Sequence, residues 1–318
     1  MNIEIITPAP RHSRLGNRIT ADRYAGLLRA LKHTVTVTTG YSGAKRDVIF
    51  ALHARRMAKA IRAVNGSAPL VLVLTGTDVY RDIHEDAVAR QSLDAADAIV
   101  TLQALAIHQL PARHRGKARA IPQSTRAPKP LPGKSKRALD MCVVGHLRPE
   151  KDPLRAAAAA RLLPADSRIR IAQAGGILDN RYRDEVGKEE AANPRYRYIG
   201  ELPHAKVMRL IARSHALVLT SRMEGGANVI GEACVCDTPV LSSNIDGSRG
   251  LLGDDYPGYF EFGDTAALAG LMERFERDAG FRRELQRRCK ALKPAFRPQA
   301  ERDALARLLR NLMKPGST

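Results

Sequence analysis

Glu224 and Glu232 carry the first chemical signal in this sequence. They lie in the stretch Ser221-Arg222-Met223-Glu224-Gly225-Gly226-Ala227-Asn228-Val229-Ile230-Gly231-Glu232-Ala233. This stretch follows a β-prone run at 216–220 and turns helical from about Asn228. A strand that ends in a glycine-bearing bend and feeds a helix presents free backbone N–H groups and the positive end of a helix dipole to one spot. That spot suits an anion. One acid before the helix and one a turn inside it could hold hydroxyl groups of the same ligand, such as those of a ribose or a hexose. The same residues also fit a plain helix start with an acid near its dipole, so the stretch alone leaves both readings open.

Cations gather at other strand ends. The first predicted strand runs into Pro8-Ala9-Pro10-Arg11-His12-Ser13-Arg14-Leu15-Gly16-Asn17-Arg18, a loop with arginines, a histidine and a glycine that enters a helix. It fits an anion site, and it lacks the glycine spacing of a dinucleotide loop or a P-loop. The third strand ends at His53, followed by Arg55 and Arg56, and the fourth ends in Thr75-Gly76-Thr77-Asp78. The latter run reads either as a ligand loop or as the cap of the next helix. Beyond the middle of the chain, Gly145-His146-Leu147-Arg148-Pro149-Glu150-Lys151-Asp152 follows another strand. Arg148 and Lys151 there could neutralise a diphosphate leaving group, stabilising charge that grows in a transition state.

The elements that must position these groups alternate between apolar strand-like runs and amphipathic helical runs, which predicts an α/β fold with parallel sheets. Strands are expected at 3–7, 34–39, 48–52, 70–75, 98–102 and 118–121, with helices at 20–31, 54–64 and 82–96. The pattern breaks at 124–136, where Pro128, Pro130, Pro132 and Gly133 lie among basic residues, the composition of an exposed linker. It restarts with strands at 139–144, 168–173, 196–199, 216–220 and 239–242, and helices at 152–163, 181–192, 204–214 and 228–235. Three helices close the chain at 265–279, 280–292 and 298–313, bent at Pro294 and Pro298. The expected organisation is a first Rossmann-like domain over 1–124, a linker over 125–138, a second Rossmann-like domain over 139–296, and a helix over 297–318 that returns to the first domain. The two domains are expected to face each other across a cleft, with ligands gathering at the carboxyl ends of the strands.

With 318 residues and a 44% hydrophobic fraction, the chain can build two ordinary cores. No apolar run approaches the ~20 residues of a membrane span, and the opening segment does not read as a signal peptide. A cytoplasmic protein is expected. Four scattered cysteines, Cys142, Cys234, Cys236 and Cys289, lack zinc-ligand spacing and read as buried thiols. Lysine and arginine number 52 against 33 aspartates and glutamates, a net charge of +19 that calls for an anionic partner. Aromatic content of 4%, with no tryptophan, argues against a nucleic-acid module. Small phosphorylated substrates fit better, and nucleic acid is the remote alternative.

Taken in chain order, three segments resemble the nucleotide-sugar glycosyltransferases of GT-B fold, specifically the retaining family 4. Glu224 and Glu232 match its E-x7-E motif, Gly145 to Lys151 its G-R-L-x-x-x-K segment, and residues 232–240 its E-A-x-A-x-G-x-P-V run. The resemblance implies that Glu224 meets the donor-sugar hydroxyls, Glu232 the ribose, and Arg148 with Lys151 the diphosphate. Glu224, Lys151 and Arg148 then become the catalytic candidates. Gly145, His146, Arg222, Gly225, Gly226, Ala227 and Asn228 complete the donor set, with Gly16 and Asn17 from the first domain. Two departures stand out: His146 occupies a usual arginine position, and Asp237 a common glycine, although aspartate tolerates left-handed backbone.

Segments 16–20, 51–56, 74–80 and 144–152 are further similar to the selenosugar synthases of selenoneine biosynthesis. That likeness implies a UDP-sugar donor, UDP-N-acetylglucosamine or UDP-glucose, with selenophosphate as acceptor and no metal or other cofactor. It assigns the acceptor to His12, Arg14, Arg18, His53, Arg55, Arg56, Thr75, Thr77 and Asp78. Its pathway partners would be enzymes that supply selenophosphate and consume the selenosugar. An ordinary hydroxyl acceptor is the alternative within the same family.

Overall fold

The computed structural model describes residues 1–13 and 15–313. It divides into two compact units, one of Met1–Ser124 with the chain from Pro298 onward, the other of Thr125–Arg297. Each is an α/β unit around a six-stranded sheet in which every pairing is parallel.

The first sheet contains β1 (Asn2–Ile6), β2 (Thr34–Thr38), β3 (Val48–Leu52), β4 (Leu70–Val73), β5 (Ala98–Thr101) and β6 (Ala118–Ala120), in the order β2-β1-β3-β4-β5-β6. The central strand β3, Val-Ile-Phe-Ala-Leu, is buried at every position, as expected where helices cover both faces of a parallel sheet. One face packs Ile49, Leu72, Ile99 and neighbours against helices Ala58–Val64 and Ala87–Ala95. The other packs Ile3, Ile5, Phe50 and Val71 with Tyr24 and Leu28 of helix Gly16–Ala30. Leu305, Leu308 and Leu309 of the last helix, Pro298–Leu312, join this second face. Glu301, buried on that helix, accepts hydrogen bonds from Arg23 Nε (3.1 Å) and the Ser124 amide (2.8 Å), which anchors the helix within the first unit.

The second sheet contains β7 (Leu139–Val144), β8 (Ile169–Ala174), β9 (Tyr196–Tyr198), β10 (Ala216–Leu219), β11 (Val240–Ser243) and β12 (Tyr259–Phe260), in the order β12-β11-β10-β7-β8-β9. One continuous core joins this sheet to its helices, and all four cysteines are buried free thiols. The segment 125–138 forms neither helix nor strand.

Three differences from the sequence expectations have local causes. The helix expected over 82–96 is split: a wide turn, Asp78–Asp82, leads into a short helix, and at Asp86 the backbone becomes extended. The Asp86 carboxylate then accepts the Val88 amide at 2.7 Å and starts a new helix. The helix expected from 54 begins at Ala58, because His53 has φ of 85° and the chain turns before it coils. Helix Asp246–Leu252 and the two-residue β12 were not foreseen, since neither is long enough to show a period. Asp237, by contrast, takes the left-handed conformation anticipated for it, with φ of 55° just past helix Asn228–Val235.

Candidate functional site

In each sheet the strand order reverses at one place, between β1 and β3 in the first and between β7 and β10 in the second. In open parallel sheets a crevice opens at the carboxyl ends of the strands at such a reversal. The residues following β7 and β10 are Gly145–Lys151 and Thr220–Asn228, and those following β1 and β3 include His12 and His53. These loops lie at the carboxyl ends of the strands flanking the two reversals, while Thr75, Thr77 and Asp78 follow β4, one strand away.

In the second unit the two loops are stitched together. The Arg222 amide donates to the Glu150 carbonyl (2.8 Å), and the Thr220 hydroxyl donates to the carbonyls of Lys151 (2.9 Å) and Asp152 (3.0 Å). This brings Lys151 onto Glu224. The ammonium donates to Glu224 Oε1, and the Ser221 hydroxyl donates to the same oxygen at 2.6 Å. Among the described residues no hydrogen bond reaches Oε2, so one carboxylate oxygen is fixed and the other is available as an acceptor. Lys151 keeps two further N–H donors. Ser221 is held in turn by Ser243, whose hydroxyl donates to the Ser221 carbonyl at 2.6 Å.

Behind Glu224 stands Gly247, in helix Asp246–Leu252. A Cβ there would lie 2.2 Å from the Glu224 carbonyl oxygen and 2.7 Å from its Cβ. Only glycine permits this approach. A second close approach supports the β7 loop, where a Cβ on Gly175 would lie 1.9 Å from the Gly145 carbonyl oxygen. The adjacent Gly176 amide donates to His146 Nδ1 at 3.1 Å. A ring nitrogen that accepts carries no proton, so this bond requires the neutral tautomer with its hydrogen on Nε2. His146 therefore supplies a donor here where an arginine would supply charge. Arg148 lies close by, its side chain 41% exposed and its Nε 3.8 Å from Glu150 Oε2.

Helix Asn228–Val235 starts without a side-chain cap, with Ala227 extended before it and Gly225 and Ala227 buried. Its first-turn amides are thus not satisfied by a side chain of the cap residue, and Asn228 Oδ1 is buried with no hydrogen-bond partner. Glu232, one turn inside, is buried and pairs with His204, whose Nε2 lies 2.8 Å from Glu232 Oε1. Phe296 packs on the helix at Gly231, where a Cβ would meet the ring at 2.8 Å.

The first unit brings together a different set. His53 is buried, its Nε2 3.3 Å from the Thr77 hydroxyl and 3.8 Å from Asp82 Oδ2, its Nδ1 3.9 Å from Asp78 Oδ2. Burial holds its pKa below the ordinary histidine value against the opposing pull of Asp78. Asp78 itself accepts the amides of Thr75 (2.9 Å), Gly76 (2.7 Å) and Ala54 (3.2 Å) and is fully buried. Both its oxygens are taken by backbone amides, which fixes the bend at Thr75 and Gly76. Arg55 pairs with Asp86 at 2.7 Å and Arg18 with Asp22 at 2.7 Å, so two of the arginines expected to meet an anion already have acidic partners. Arg56 and His12 are exposed, and Gly16 and Asn17 open helix Gly16–Ala30 with no side-chain cap. Arg14 lies outside the described residues.

Sequence reasoning did not single out Ser221, Ser243, Gly247 or His204 as site residues, nor Asp82. Ser221 adjoins the motif and could have been found by asking what holds Glu224. The others come from distant segments with no spacing signal. Among the described residues no group of three or more His, Cys, Asp or Glu side chains is placed to hold a metal ion, and no described helix is long and apolar enough to cross a membrane.

The profile described as glycosyl transferases group 1 matches residues 127–292. The chain belongs to the group 1 glycosyl transferases. Compared with curated protein sequences it has no match. Among solved structures, this glycosyl transferase is similar to HepE of Anabaena in complex with UDP, at 16% identity and a TM-score of 0.80, covering 98% of this chain and 100% of that one. It is also similar to sucrose-phosphate synthase from Thermosynechococcus elongatus, at 14% identity and 0.76, covering 98% and 99%. Trehalose 6-phosphate synthase from Burkholderia multivorans gives 17% identity and 0.66, over 91% and 76%. At these identities the likeness is one of fold, and it places the glycosyl transferase in the two-domain GT-B architecture.

Proposed function

We propose that this glycosyl transferase takes a sugar from UDP-N-acetylglucosamine or UDP-glucose and passes it to selenophosphate, forming a carbon–selenium bond. The observation that carries the donor half is Glu224, fixed through one oxygen by Lys151 and Ser221 and presenting the other beside an uncapped helix start. Glu224 Oε2 accepts hydroxyl hydrogens of the donor sugar. The amides of Gly225 to Asn228 and the cations Arg148 and Lys151 hold the diphosphate. They stabilise the charge that grows as the bond from C1 to the UDP oxygen breaks. His146 donates Nε2–H without adding charge, and Glu232 accepts from the ribose. No metal ion is required in this scheme. HepE of Anabaena, which shares the fold, has been solved with UDP-glucose.

The acceptor half rests on the first-unit loops and on the resemblance of their segments. Selenium attacks C1, UDP leaves with the bonding pair, and the phosphate is then lost to water, giving the selenosugar and inorganic phosphate. An anionic nucleophile needs no strong base. The pathway then needs one enzyme that makes selenophosphate and another that uses the selenosugar. A second reading, a hydroxyl acceptor, is favoured by one feature: His53, kept neutral by burial and joined to Thr77, is a group that could take a proton.

Incubation of the protein with either UDP-sugar and selenophosphate tests the proposal. UDP release with a selenium-bearing sugar seen by mass spectrometry is the expected outcome. UDP release with sugar acceptors and none with selenophosphate moves the conclusion to the second reading.

A further inference from the structure

The Glu232 carboxylate is buried, its side chain only 11% exposed, and no lysine or arginine pairs with it among the described residues. A buried carboxylate needs a hydrogen-bond partner, and a side chain with three rotatable bonds needs a contact to fix its direction. Its position one turn into helix Asn228–Val235 helps, because the amino end of a helix favours negative charge. That field fixes no rotamer. The contact that does is His204, whose ring nitrogen Nε2 lies 2.8 Å from Oε1.

His204 opens helix His204–Arg213, with Pro203 before it, so its backbone is set by the proline and by the start of the helix. Its side chain is 63% exposed and reaches back over the neighbouring helix. The helix carrying Glu232 is in turn fixed from behind by Phe296 at Gly231. The helix is thus packed at Gly231, and the Glu232 side chain itself is held by His204. Among the described residues no hydrogen bond reaches its second oxygen, Oε2. The pattern repeats that of Glu224, where the protein takes Oε1 and leaves Oε2. Both acids of the motif are thus built as half-occupied acceptors, one oriented by a lysine and a serine, the other by a histidine from a separate helix.

We infer that His204 is the positioning residue for the nucleoside half of the donor, aiming Glu232 Oε2 at the two ribose hydroxyls. This rests on the UDP-sugar reading above. It adds to that reading a residue outside every motif, and it assigns that residue an effect confined to ligands that carry ribose hydroxyls. His204 touches no reacting atom. Its loss weakens donor binding and leaves the chemical step alone.

The test uses the full chain and calorimetric titration with UDP and with 2′,3′-dideoxy-UDP. His204→Ala is expected to weaken UDP binding about tenfold, the scale of one hydrogen bond to a charged group, while dideoxy-UDP binds wild type and variant equally. His204→Gln, which can donate from a similar position, is expected to restore most of the loss. In turnover, His204→Ala raises KM for the UDP-sugar and leaves kcat unchanged. Equal UDP affinity in wild type and His204→Ala overturns the inference, as does a loss of the same size for UDP and dideoxy-UDP, which would mark His204 as a general support of the fold. Wild-type protein that binds no UDP overturns the donor reading itself, and the inference with it; that result is distinct, because it is seen before any variant is made.

Discussion

At the carboxyl end of β10, Glu224 gives one oxygen to Lys151 and Ser221 and keeps the other, whereas beyond β4 Asp78 spends both oxygens on the amides of Thr75, Gly76 and Ala54. Both acids follow the carboxyl end of a parallel strand, β10 at the reversal of its sheet and β4 one strand away from the reversal of the other. One is left incomplete by the protein, and the other is completed by it. The same contrast runs through their neighbours: in the second unit two close backbone approaches at glycines shape the loops, while in the first a buried histidine, a buried acid and several surface ion pairs do so. An acceptor atom without a protein partner is where a ligand is expected to bind. Acids whose partners are all backbone hold the fold.

The contrast can be tested by exchanging the two consequences. Asp78→Ala removes a buried carboxylate that accepts three backbone amides and should cost about 3 kcal/mol of stability, measured by urea unfolding. If unfolding is unchanged while activity falls, Asp78 belongs to the ligand and the comparison collapses. Glu224→Gln should do the reverse, keeping the wild-type unfolding midpoint and slowing turnover about 100-fold, the scale of losing one well-aimed transition-state contact. Gly247→Ala adds a Cβ that overlaps the Glu224 backbone, so a shift of that loop costing about 1–3 kcal/mol is expected. Both KM for the UDP-sugar and stability should change, and a crystal structure of the variant should show Glu224 displaced. His53→Asn gives the smallest effect. The folded-state pKa of His53 is lowered by burial, so its contribution to stability is complete above the unfolded value of about 6.5 and is lost as pH falls through that value towards the folded one. Asparagine tolerates the positive φ and does not titrate. Thermal midpoints measured from pH 8 to pH 5 should fall less steeply in the variant than in wild type.

The fold was legible because its signals are local. Runs such as Val48–Leu52 and Leu70–Val73 announce buried parallel strands, and the alternation with helices carries through both units. The breaks in that reading came where a single side chain redirects the backbone, as Asp86 does when it starts a new helix in the middle of an expected one. The candidate site was legible where sequence neighbours act together, as with Glu224, the following glycines and Glu232. It was not legible where a partner arrives by tertiary folding. Nothing in the spacing of His204 points to Glu232, and nothing around Arg55 says that Asp86 will take its charge.

Gly247 sits on a helix too short to show a period, outside the matched motifs, yet it leaves no room for even a methyl group beside Glu224. In a deep mutational scan this position should therefore behave like a member of the active site, rejecting alanine and serine alongside larger residues. Its intolerance would mark, from growth data alone, which backbone surface Glu224 leans on.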